Sequence, residues 1–137
     1  MPPDPQRVEE TRAWFAKASE DLRAAAFEMT AEPPLLFDVV FHAQQAAEKA
    51  MKGFLTWHDV PFRKTHDLAE IGRQVIALDP AFEGLSKRAI DLSVYAWVFR
   101  YPGDPDEPTA AEGRDALGLA QDVYEALLRG LPSAART

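Results

Sequence analysis

The stretch FHAQQAAEKAMKGFL, Phe41 to Leu55, decides how this chain folds. Its apolar residues return every three or four positions, which is the spacing of a helix. Alanine, leucine, methionine, glutamate and lysine fill it, all good helix formers. The same period extends back to Pro34 or Leu35, where a proline at a helix start costs little. It extends forward to His58, and Asp59-Val60-Pro61 then stops it. Set about 100° apart on a wheel, Leu36, Phe37, Val39, Val40, Ala43, Ala46, Ala47, Ala50, Met51, Phe54, Leu55 and Trp57 fill well over half of the circle. An arc that wide implies contact with more than one neighbour. Asp38, His42, Lys49 and Gly53 share the remaining face and are expected to meet solvent.

Gln44 and Glu48 break the pattern. Gln44 falls between Met51 and Leu55, and Glu48 between Leu55 and Phe41, inside the apolar arc. Gln45 and Lys52 lie at its edge. A carboxylate and an amide buried without partners cost on the order of 1–3 kcal/mol each, so partners are required. Two arrangements satisfy them. Glu48 pairs with an Arg or Lys of a neighbouring helix while Gln44 caps a backbone group, or Gln44, Glu48 and Lys52 line a polar pocket or a symmetric helix–helix contact.

Four further segments show helical period and none shows a strand. The first spans roughly Gln6 to Met29, on a stripe of Val8, Phe15, Leu22, Ala25, Ala26 and Met29, and Glu32-Pro33-Pro34 ends it. A short one opens at Asp67, where Asp67 and Glu70 have capping-box spacing, and Asp79-Pro80 closes it. Another spans roughly Phe82 to Tyr101. The last opens at Thr109 and Glu112, a second capping box, and runs to Gly130, with a loose tail after Pro132. The expectation is an all-α, up-and-down bundle of four long helices plus one short helix, a single domain over residues 1–137 with its core at about 7–131.

The segment from Phe82 to Tyr101 is apolar on two sides. Leu85, Ala89, Leu92, Ala96 and Phe99 form one face, and Ile90, Val94, Trp97, Val98 and Tyr101 form another. Ser86, Ser93 and Arg100 run between them. Either this helix is central to the bundle, or its second face is covered by another subunit.

The chain of 137 residues has no cysteine and a net charge of −7. Disulfides and thiol chemistry are excluded. No apolar run approaches the roughly 20 residues of a membrane span, and the first residues do not read as a secretory signal. The expected location is the cytoplasm, with no membrane contact. Against the acidic background, Lys49, Lys52, Arg63, Lys64 and His66 stand close together in sequence. They are either an ordinary solvated patch or a site for a nucleotide or RNA phosphate. His42, His58 and His66 lack zinc-ligand spacing, no glycine-rich phosphate loop exists, and no cofactor is expected.

With FHAQQAAEKAMKGFL, RKTHDL (Arg63–Leu68) and VFRYP (Val98–Pro102) together, the chain resembles a HEPN domain, the "higher eukaryotes and prokaryotes nucleotide-binding" family. The resemblance covers about Trp14 to Leu128. It implies a helical bundle, a homodimer, and a role around nucleotides or RNA. Many members pair with a minimal nucleotidyltransferase as toxin–antitoxin partners, and others are metal-independent ribonucleases. The ribonucleases carry an Arg followed four to six residues later by His. Arg100 matches the Arg, but Pro105, Asp106 and Glu107 stand in the region of the His, and no histidine occurs after His66. This points to a non-catalytic module with the RYP sequence and no ribonuclease histidine. A divergent endoribonuclease toxin and a plain dimerising adaptor without ligand are the alternatives. The expected site has Gln44, Glu48 and Arg100 in one polar network, leaving Lys49, Lys52, Lys64 and His66 outside it as anion contacts beside Arg100.

Overall fold

The computed structural model describes residues 3–96, 102–103 and 107–136. Helix α1 spans Pro5–Met29, α2 Leu36–Trp57, α3 Leu68–Leu78, α4 Glu83–Ala89, α5 Ala110–Arg129 and α6 Ser133–Arg136. Among the described residues there is no strand, and the architecture is an all-α helical bundle. Local chemistry sets the helix starts. The Asp4 carboxylate accepts from Gln6 N–H at 3.0 Å ahead of a proline at the first turn of α1. Thr109 and Glu112 form the full capping box at α5, each side chain taking the other's backbone N–H at 3.0 Å. At α3 only half of the expected box forms. Asp67 accepts from Ala69 N–H, while Glu70 turns away to Arg63.

Helix α2 is the centre of the bundle, packing on α1, α5, α3 and the segment after α4. Val40, Ala43, Ala47, Ala50, Met51 and Leu55 are all fully buried. Each large apolar side chain removed from water contributes about 1.5–3 kcal/mol. The face expected to be wet is instead covered by α1. Lys49 reaches Asp21 at 2.7 Å and His42 reaches Glu28 at 2.7 Å. Gly53 is buried against α1, and a Cβ there would stand 2.7 Å from Phe15 Cε2 and 2.9 Å from Trp14 Cβ. Absence of a side chain at Gly53 is what lets the two backbones approach. Of the four residues on that face, Asp38 alone is exposed.

Over the described part of the single helix expected from Phe82 to Tyr101, as far as Ala96, shorter pieces stand instead. A 3₁₀ turn at Pro80–Phe82 leads into α4, and a second 3₁₀ segment follows over Ile90–Ala96. The β-branched Ile90 and Val94 lose rotamer freedom in an α-helix. Ser93 lends its hydroxyl to α3, accepting from Leu68 N–H at 2.9 Å. Ser86 is buried where α4 crosses Gly72, whose missing Cβ would collide with the Ser86 hydroxyl. The serine strip therefore faces α3. Leu92 and Ala96 are buried, whereas Ile90 and Val94 remain about 40% exposed. Trp97, Val98, Phe99, Arg100 and Tyr101 lie outside the described residues.

The tail expected to be loose forms α6. Arg12 Nε donates to Ala134 C=O at 2.8 Å and Arg136 Nε to Leu131 C=O at 2.7 Å, so two arginines satisfy carbonyls left over at the chain's end.

Candidate functional site

Gln44, Glu48 and Lys52 stand one helical turn apart on α2, so their side chains stack along one line. That line faces the bundle interior. Gln44 is 0%, Glu48 3% and Lys52 6% exposed. Gln44 Nε2 donates to Glu48 Oε1 at 2.9 Å, and Lys52 Nζ donates to Glu48 Oε2 at 2.9 Å. Gln45 Nε2 donates to Gln44 Oε1 at 2.6 Å, which leaves the Gln44 amide nitrogen facing Glu48. His66, arriving from the loop ahead of α3, places Nδ1 2.8 Å from Glu48 Oε1. One carboxylate thus holds three neighbours.

Two aromatic rings close over the lysine. Lys52 Nζ lies 5.8 Å from the centroid of Trp14 on α1 and 5.7 Å from that of Phe62 in the loop, within cation–π range. The two rings meet edge to face, with centroids 6.0 Å apart. The loop carrying Phe62 and His66 is tied down at several points. Gln74 Nε2 donates to Pro61 C=O at 2.8 Å, and Arg63 meets Glu70 at 2.7 Å. Asp67 N–H is taken by Thr65 Oγ1. With Asp67 on Ala69 N–H and Ser93 on Leu68 N–H, the start of α3 is already capped by protein groups, so its dipole is not turned to a free phosphate.

Electrostatics follow from this crowding. Burial pushes the Glu48 carboxyl up, but hydrogen bonds from Gln44, His66 and Lys52 and the lysine charge outweigh it and hold the group below its ordinary value. Glu48 is therefore ionised and accepts at both oxygens. Its charge is offset by Lys52, buried beside it.

Of the residues expected at a site, Gln44, Glu48, Lys52 and His66 come together. Lys52 and His66 join the network rather than standing outside it, because both reach the Glu48 carboxylate. Lys49 points the other way, to Asp21, and Lys64 is exposed. Arg100 lies outside the described residues. Trp14 and Phe62, the walls on Lys52, were not anticipated, nor was Glu28 as the partner of His42. A signal for the charged pairs exists in the sequence. Asp21 and Glu28 are seven apart on α1, and His42 and Lys49 are seven apart on α2, so one antiparallel register aligns both pairs.

The model of the HEPN domain family matches residues 11–131. The chain belongs to the HEPN domain family. Comparison with curated proteins and with solved structures returned no match. HEPN domains are connected with nucleotides and RNA and commonly dimerise. In this HEPN domain, among the described residues, no helix is long and apolar enough to cross a membrane, and no three metal-ligating side chains gather.

Proposed function

We propose that this HEPN domain is a non-catalytic module that binds a nucleotide or RNA and works as the partner of a minimal nucleotidyltransferase in a toxin–antitoxin-like pair. The observation that carries the binding half is the end of the α2 network. Lys49 is occupied by Asp21, and Lys52 is buried on Glu48. Among the described candidates, Lys64 and the His66 ring are the most open to solvent, His66 with 57% of its side chain exposed. The ligand contact is assigned to that exposed end. The non-catalytic half rests on the sequence, which has no histidine after Arg100 where the ribonuclease members carry one.

A second reading, a divergent metal-independent endoribonuclease, has one observation behind it. A buried carboxylate backs an exposed imidazole, which is how a general base is oriented. One experiment separates the two. Purified protein is titrated with nucleotides and a short single-stranded RNA, and the RNA is then followed over time in EDTA. Binding with no cleavage is expected, and Lys64→Ala weakens it. Cleavage lost in His66→Ala would establish the second reading, and absence of both binding and cleavage would leave the adaptor.

We also propose that the chain is a homodimer covered over Ile90 and Val94, the exposed apolar residues of the second 3₁₀ segment. Sedimentation at micromolar concentration is expected to give about twice 15.2 kDa, and Val94→Asp to shift it toward the monomer. A monomer throughout that range defeats this assignment.

A further inference from the structure

We infer that His66 recognises a hydroxyl, so that the nucleotide site selects ribose over deoxyribose. The inference rests on the nucleotide reading above and names the part of the ligand that His66 meets. It starts from the Glu48 carboxylate. Ionised, buried and already accepting from Gln44 and Lys52, Glu48 has no proton to give. The 2.8 Å contact between Glu48 Oε1 and His66 Nδ1 therefore has one direction, with Nδ1–H donating. A neutral imidazole carries a single N–H. With that proton on Nδ1, Nε2 is left as a bare lone pair.

Nε2 lies across the ring from Nδ1, hence on the side away from the buried carboxylate. More than half of this side chain is exposed. What the neutral histidine offers to a ligand is an acceptor. A phosphate oxygen, itself an acceptor, makes no hydrogen bond there. A ribose 2′-hydroxyl does, donating to Nε2. The phosphate falls to Lys64, exposed two residues earlier in the same loop. Glu48 is a positioning residue in this scheme. It touches no ligand, and it sets which nitrogen of His66 is bare.

The tautomer is read first, in the free protein, by ¹⁵N–¹H correlation of the imidazole under alkaline conditions where histidine is ordinarily neutral. The proton is expected on Nδ1 of His66, and a proton on Nε2 overturns the inference. Binding is then measured under the same alkaline conditions with ATP and 2′-deoxy-ATP. The ribonucleotide is expected to bind about three- to tenfold more tightly, the worth of one neutral hydrogen bond. His66→Ala is expected to erase the preference while Lys64→Ala weakens both ligands alike. Glu48→Gln, whose amide can donate as well as accept, is expected to release the tautomer and shrink the preference, with both ring nitrogens partly protonated in the same spectrum. Equal affinity for the two nucleotides defeats this inference and leaves the nucleotide reading standing. If neither nucleotide binds, this inference falls, and if the single-stranded RNA does not bind either, the reading above falls with it.

Discussion

On the side of α2 that meets α1, Lys49 holds Asp21 and His42 holds Glu28, each at 2.7 Å, with side chains 13–25% exposed. On the side that meets the loop before α3, Glu48 and Lys52 sit 2.9 Å apart with side chains 4% and 8% exposed. The residue types are the same and the distances similar. The first pairs cross between two helices and keep some water, so each group has solvent as a fallback. The second is surrounded by rings and apolar side chains, and each charge depends on the other. A buried pair adds little by existing but much is lost when one partner is removed. The difference teaches that the α1 side sets the register of two helices, while the loop side ties a loop residue, His66, to a buried charge pair.

The largest effect expected is at the buried side. Glu48→Ala strands the Lys52 charge and should cost about 3–5 kcal/mol in a denaturant melt. A loss as small as that of a surface pair would mean that water reaches this carboxylate. Acid sharpens the same point. The folded-state value of Glu48 is lowered, so its contribution is present above the ordinary carboxylate range and is lost as pH falls through the lowered value. Wild-type melts should therefore steepen below about pH 4, and Glu48→Gln should remove part of that slope. An unchanged acid limb in the variant would count against the network.

Gly53→Ala comes next. The new Cβ meets Phe15 and Trp14 within 3 Å, and overpacking of this kind costs about 1–3 kcal/mol. The same substitution moves Trp14, a wall of Lys52, so it tests whether the two sides of α2 are coupled. A double-mutant cycle with Lys52→Met would return zero interaction if they are not. The smallest effect is at Lys49→Ala, about 1 kcal/mol or less, and it should shrink further in salt. A cost equal to that of Glu48→Ala would erase the distinction between the two sides.

Much of this was legible before any coordinates. Period, proline stops and caps located α1, α2, α3 and α5, and the wheel singled out Gln44 and Glu48 as polar residues inside an apolar arc. These are local properties of the chain, and neighbouring residues suffice to specify them. The wheel failed where a partner decides the matter. It left His42, Lys49 and Gly53 to solvent, because a polar or small face looks alike whether it meets water or a complementary helix. It extended one helix across Ile90–Ala96, because the hydroxyl that Ser93 gives to Leu68 belongs to a contact 25 residues away. It left Lys52 and His66 outside the network, whereas Lys52 from the next turn and His66 from a loop both reach Glu48; Arg100 lies outside the described residues. Sequence alone determined which residues needed partners, since that follows from burial on one helix. Only the tertiary structure decided who the partners are, since Trp14, Phe62 and His66 reach Lys52 and Glu48 through the closing of α1 and the loop onto α2.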